Sequence, residues 1–323
     1  MPDSRLSILL TGGSGLIGSS LSRYLTGQGR SVLRLVRPSA PSASRPCRST
    51  SGGAEGDLRS WDPYSQTPMP GDCSFPGLAG AVHLSGAGIA NRRWTAEYKR
   101  EIVESRVRPT EALARFLAGM RPRPEALVCA SAIGIYGEGG EEALTECAAP
   151  GRGFLAEVCA AWEKAAQPAV EAGIRVVHLR FGVVLSAEGG ALAKMLPIFR
   201  LGLGGRLGGG RQWMSWISLT DAVRAIEFAL ESRSLGGPVN VVAPNPVSNA
   251  QFARDLGHAL GRPALLPVPA CALKLAFGEM AQATILQGAR AVPAKLEEAG
   301  FAFLHGTLPV ALQALLQERN RAK

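Results

Sequence analysis

Thr11-Gly-Gly-Ser-Gly-Leu-Ile-Gly18 sits between an apolar run, Leu6 to Leu10, and a stretch of helical periodicity that begins at Gly15. In that setting each glycine has a physical task. Gly12 and Gly13 allow a tight strand-to-helix turn, Gly15 lets the backbone approach a pyrophosphate, and Gly18 lets the helix pack on the strand. The helix would open with unpaired N–H groups and a partial positive charge, which together attract a diphosphate. Thr11, Ser14, Leu16 and Ile17 complete the expected dinucleotide-binding turn. The next strand, Ser31-Val-Leu-Arg-Leu-Val-Arg37, indicates which dinucleotide. An acid at its end would bind a ribose 2′-hydroxyl, whereas an arginine accommodates a 2′-phosphate. No acid stands there, so Val36 and Arg37 mark the expected clamp and NADP(H) the expected cofactor. Arg45 and Arg48 read as solvated charges that could assist it.

Those residues need a scaffold that gathers strand ends. Apolar strand-like runs at Leu6 to Leu10, Ser31 to Val36, Ala81 to Leu84, Ala126 to Ser131 and Arg175 to Phe181 alternate with helical patterns at Gly15 to Thr26, Thr95 to Leu117 and Phe154 to Glu171. This rhythm predicts an α/β protein, a doubly wound parallel-sheet Rossmann fold with right-handed crossovers. We assign 3–185 to the dinucleotide-binding domain, with 219–244 completing the sheet. A smaller substrate lobe takes 186–218 and 245–323. Trp213, Met214 and Trp216 would either wall its pocket or fill its core. Pro38 to Gly56, poor in large apolar residues, reads as a mobile surface loop.

Composition excludes several classes. No apolar run is long enough to span a bilayer. The start of the chain lacks the features of a secretory signal, which predicts a cytoplasmic protein. Cys47, Cys73, Cys129, Cys147, Cys159 and Cys271 are scattered without a C-x-x-C pair, so no metal site or disulfide framework is expected, and most should be small buried residues. The net charge is +9, but the arginines are dispersed and aromatics make up only 6% of the chain. With few stacking platforms, nucleic acid is not an expected partner, whereas an anionic cofactor is. The expected partner is a small-molecule substrate, with the chain a monomer or homodimer.

Further motifs carry a resemblance over nearly the whole chain. They are Trp61-Asp-Pro63, His83-Leu-Ser-Gly-Ala-Gly88, Arg93-Trp94 with Lys99, Ser105-Arg106, Ser131-Ala-Ile-Gly-Ile-Tyr-Gly137, and Cys159 with Trp162-Glu163. Arg180-Phe-Gly-Val-Val-Leu185, Ser215-Trp-Ile-Ser-Leu-Thr-Asp221 and Gly288 to Phe301 follow. Together they resemble the extended short-chain dehydrogenase/reductases, within them the atypical branch of epimerase family proteins with a C-terminal domain of unknown function, DUF1731, here about 270–318. The resemblance implies that Leu84, Ser85 and Gly86 lie along the cofactor ribose and pyrophosphate. It implies that Glu101 and Arg106 face the cofactor, Arg106 standing where relatives carry Asn, and that Phe181 to Val184 run near the nicotinamide.

The resemblance also exposes a gap. Relatives use Tyr-x-x-x-Lys, in which the Lys one helical turn on holds the ribose and lowers the pKa of the phenol that exchanges a proton with substrate. Ser131 matches the serine that orients the substrate carbonyl, and Lys164 matches the lysine. The tyrosine position is Ala160. Tyr136 reads as structural, while Cys159 and Glu163 flank the gap and could move a proton by another geometry. Two readings follow. One is an NADP(H)-dependent oxidoreductase or epimerase-like enzyme acting on a small polar or sugar-like molecule. The other is an NADP(H)-binding regulatory or scaffold protein without turnover.

Overall fold

Short runs of Leu, Val, Ile and Ala build one parallel sheet from β1 (Ser7–Thr11), β2 (Ser31–Val36), β3 (Leu58–Ser60), β4 (Leu78–His83), β5 (Ala126–Ala132), β6 (Arg175–Phe181) and β7 (Gly237–Val241). The computed structural model describes residues 7–37, 58–65, 75 and 77–321; the expected loop Pro38 to Gly56, with Arg45 and Arg48, lies outside them. The spatial order is β7-β6-β5-β4-β1-β2-β3, and every neighbouring pair is parallel. The order reverses at β1, the switch point beyond which ligands bind in such sheets.

The helices are α1 (Leu16–Gly27), α2 (Ala96–Gly119), α3 (Phe154–Lys164), α4 (Gln167–Glu171), α5 (Gly190–Arg200), α6 (Leu219–Glu231), α7 (Asn249–Leu260), α8 (Ala270–Phe277), α9 (Ala294–Glu298) and α10 (Leu308–Arg321). Both sheet faces are covered, because alternate residues of buried strands point to opposite sides. Ile8, Leu10, Val128 and Val177 pack with α1 and α6 on one face. Leu9, Leu127, Cys129 and Val176 pack with α2 and α4 on the other.

One helix expected from Phe154 to Glu171 is two. Pro168 has no N–H for the Lys164 carbonyl four residues back, and its ring crowds that carbonyl, so α3 stops at Lys164 and α4 begins anew.

A second core joins α5, α7 and α10 through Leu192, Leu196, Phe199, Phe252, Leu256, Leu312 and the fully buried Trp216. Trp216 is therefore a core residue. Trp213 is half-buried, its ring beneath the Arg290 guanidinium and its Nε1 donating to Glu141. The C-terminal tail is tied to the sheet by the Ser215 to Asp221 motif. Ser215 Oγ donates to Ala289 O at 2.8 Å and accepts from Ala291 N at 2.8 Å. Ser218 caps α6, and the buried Asp221 accepts the Leu304 and His305 amides at 3.0 and 2.8 Å. Of the described cysteines, Cys129 and Cys159 are buried, but Cys147 and Cys271 are exposed.

Candidate functional site

The turn between β1 and α1 is built against the end of β4. Gly12 has φ +71°, and a Cβ there would stand 2.6 Å from the Leu84 carbonyl carbon, so the position needs glycine both for conformation and for space. A Cβ on Gly18 would stand 2.2 Å from Gly12 O, which fixes how closely α1 approaches the turn. Gly15 caps α1 without a side-chain acceptor, and no acid lies in the first helical turn. The amides at that helix start are thus left for an external anion. Thr11 Oγ1 and His83 Nδ1 lie 2.6 Å apart below the turn, and burial pushes His83 down to about 4, so its ring is neutral.

Beyond the turn opens a cleft of about 950 Å³. Gly12, Gly13, Ser14 and Gly15 form its floor; Leu35, Val36 and Arg37 line one wall, and Leu84, Ser85, Gly86 and Ala87 the other. Glu97, Arg100, Glu101, Glu104 and Ser105 of α2 close its rim. Arg37 is exposed and pairs with no described residue. Glu101 faces Arg92 at 3.5 Å. Donors thus stand at the glycine turn and Arg37, while the α2 rim carries three carboxylates together with Arg100. The residues present fit a dinucleotide.

Other expected cofactor residues lie off this lining. Thr11 is buried beneath it, and Leu16, Ile17 and Gly18 belong to the first turn of α1. Arg106 is mostly buried behind the Leu84 to Ala87 wall: its Nη2 donates to Ala87 O at 2.9 Å, its Nη1 to Ile102 O at 3.0 Å, and it stacks over Trp162. Burial lowers its pKa below the ordinary arginine value. It braces the wall from behind. Val184 lies in a short strand, Val183–Leu185, paired with Trp216–Ser218. Sequence reasoning assigned no role to Trp61, Pro63 or Tyr64, yet they line the cleft beside Arg37 because Trp61 N donates to Val36 O at 3.0 Å. The Trp61-Asp-Pro63 motif was the available signal, but only strand pairing shows where it lands.

Ser131 and Glu163 are brought together in a closed hydrogen-bond network, with Cys159 buried in the apolar cluster beside Tyr136. Arg180 Nε donates to Glu163 Oε1 at 2.9 Å and Nη2 to Oε2 at 3.0 Å, a two-pronged pair between side chains that are 7% and 15% exposed. Ser131 Oγ donates to the same Oε1 at 2.7 Å. Arg180 Nη1 donates to Tyr136 Oη at 3.0 Å, and Tyr136 donates to Asn240 Oδ1 at 2.7 Å. Asn240 Nδ2 then donates to Val292 O in the C-terminal tail at 2.9 Å. Burial alone would lower the Arg180 pKa, but the bonds and charge of Glu163 outweigh it and raise it above the ordinary value. Burial, then the Glu163 charge, push the Cys159 thiol up to about 11. Ala160 and Lys164 are exposed on α3, and Lys164 forms no hydrogen bond or ion pair with the described residues.

The doubly wound sheet, its glycine turn and the cleft at its switch point define a Rossmann-type nucleotide-binding protein of the short-chain dehydrogenase/reductase kind. The chain belongs to the NAD dependent epimerase/dehydratase family, whose model matches residues 8–242, and residues 268–315 match a domain of unknown function, DUF1731. It is 43% identical over 305 residues to an epimerase family protein of Mycobacterium bovis, covering 94% of this chain and 96% of the relative. It is 36% identical over 316 residues to one of Bacillus subtilis, covering 98% and 99%. The crystal structure of human epimerase family protein SDR39U1 (isoform 2) with NADPH is similar at a TM-score of 0.83 and 30% identity, covering 96% of this chain and 99% of that one. No described helix is long and apolar enough to cross a membrane.

Proposed function

We propose that this chain binds NADP(H) in the cleft at the switch point, the amides of Gly12 to Gly18 holding the pyrophosphate and Arg37 the 2′-phosphate. The observation that carries the reading is the cradle itself: Gly12 packed directly on Leu84 and Ser85, an α1 start with no side-chain acceptor of its own, and an exposed Arg37, paired with no described residue, where β2 ends without an acid. The similar human protein was crystallised with NADPH, which supports the same choice. Leu84, Ser85 and Gly86 would hold the middle of the cofactor. Glu101 and its neighbours on the α2 rim suit hydroxyl or amino groups, since carboxylates repel phosphates.

When bound, the nicotinamide would supply hydride chemistry toward a small polar molecule, the oxidoreductase or epimerase-like reading. The chain would then have to find its proton elsewhere than in the usual Tyr. Both Glu163 oxygens are engaged by Arg180, the Ser131 hydroxyl is given to Glu163, and Ala160 has no acid to offer. That closure favours a second reading, in which the cofactor is held without turnover.

Binding titrations of the Arg37→Ala protein test the cofactor. NADPH should weaken about ten- to a hundredfold, the loss of one charge-assisted contact, and NADH should barely change. Equal losses would remove the 2′-phosphate assignment. Turnover is tested by following NADPH oxidation against ketones, aldehydes and nucleotide sugars. Consumption with any of them supports the enzyme; tight binding with none supports the second reading.

A further inference from the structure

One arginine in the cofactor half has no visible employment. Arg34 is the single charged residue within β2, whose neighbours Leu33 and Leu35 are buried. Its side chain lies over the glycine turn: a Cβ on Gly13 would stand 3.0 Å from Arg34 Nε and 3.6 Å from its Cγ. Nε is buried with no hydrogen-bond partner, and the guanidinium pairs with no described residue. A buried donor left unmatched is costly, and more so for a charged group. A strand that needed only packing at this point would carry an aliphatic residue, as it does at Val32 beside Leu10.

Gly13 points the same way. Unlike Gly12, it is not in the left-handed region, so its backbone conformation would admit other residues. What glycine provides at Gly13 is room for Arg34. Gly13 lines the cleft floor, and the Arg34 Nε packed against it has no hydrogen-bond partner among the described residues.

We propose that Arg34 is a second cation of the 2′-phosphate site, acting across Gly13 from Arg37 and setting the preference of the cleft for NADP(H). The inference rests on the reading that NADP(H) occupies this cleft. The pyrophosphate already has the amides at the start of α1, which lie past Gly15. Arg34 lies within β2 and Arg37 just past its end, the strand end that reads the 2′ position. A doubly charged 2′-phosphate supplies acceptors enough for both guanidinium groups.

The test uses the full chain and four ligands: NADPH, NADH, adenosine 2′,5′-bisphosphate and AMP. Arg34→Met keeps an unbranched stem over Gly13 and removes the guanidinium, so the turn retains its packing. It should weaken NADPH and adenosine 2′,5′-bisphosphate about ten- to a hundredfold and leave NADH and AMP within about twofold. Arg34→Lys keeps the charge without the planar fork and should fall between Met and the parent; it also serves if the Met variant folds poorly. No change in the ligand preference with Arg34→Met, while Arg37→Ala abolishes it, overturns the role of Arg34 and leaves NADP(H) binding standing. Equal weakening of all four ligands also overturns it, since Arg34 would then only shape the turn. A parent protein that does not prefer the 2′-phosphorylated ligands removes the underlying reading instead.

Discussion

The glycine turn and the Arg180 network are the two polar centres of this molecule, and they are opposites. At the turn, α1 starts without a side-chain cap acceptor, and among the described residues the exposed Arg37 and the buried Arg34 Nε have no partner. At Arg180 each guanidinium nitrogen has a partner, and both Glu163 oxygens are used. Donors without partners among the described residues, beside an open cleft, are available to a ligand. Answered donors between largely buried side chains hold elements together. The network joins β5, β6, α3 and, through Asn240, the C-terminal tail, so Ser131 and Glu163 are engaged in hydrogen bonds that link these elements.

That contrast can be broken most severely at Glu163. Glu163→Ala leaves the Arg180 charge buried without its carboxylate, and denaturant unfolding should show a loss of about 3–5 kcal/mol. Pairing it with Arg180→Met, which removes the stranded charge, should recover much of that loss. A single variant within about 1 kcal/mol of the parent would mean the network holds nothing.

His83, below the glycine turn, gives the next effect. Its folded pKa is lowered from 6.5 to about 4 by burial, so the unfolded chain binds the proton more readily. The stability it contributes is complete above pH ~6.5 and is lost as pH falls toward ~4, about 3 kcal/mol in all. His83→Asn should flatten that part of the stability profile; an unchanged difference between neutral and acidic pH would show that His83 is not its source.

At the turn itself, Gly12→Ala forces a Cβ into the Leu84 and Ser85 backbone at a left-handed position. We expect a loss of about 1–3 kcal/mol together with the cofactor affinity. Retained NADPH affinity would show that the turn is not the cradle. The smallest effect is expected at Cys159, buried and held as a thiol. A thiol reagent at mildly alkaline pH should label the exposed Cys147 and Cys271, and Cys159→Ala should leave the labelling unchanged. Rapid loss of one labelled site on that substitution would mean the network is open to solvent.

Much of the fold was legible because its signals are local. The apolar runs, the glycine turn after the first of them and the missing acid at the end of β2 need only neighbouring residues to be read. The break at Pro168 is local too, since the proline alone accounts for it, yet the continuous apolar periodicity of the helix from Phe154 to Glu171 concealed it. The site was legible in part. Gly12 to Gly15, Val36, Arg37, Leu84 to Gly86 and Glu101 do line the cleft. Trp61 and Tyr64 could not be placed there until β3 was seen to pair with β2, and Arg106, expected to face the cofactor, turned out to brace the wall because its guanidinium reaches Ala87 O from behind.

By itself the sequence determined most of the alternation of strands and helices, the glycine turn and the arginine after β2, because backbone conformation and charge at a strand end depend on residues close in the chain. Only the tertiary structure decided which partners Ser131 and Glu163 have, and that Arg34 Nε has none among the described residues. The partners come from α3 and β6, and the difference between a spent carboxylate and an unspent guanidinium is a matter of which atoms the fold brings within about 3 Å.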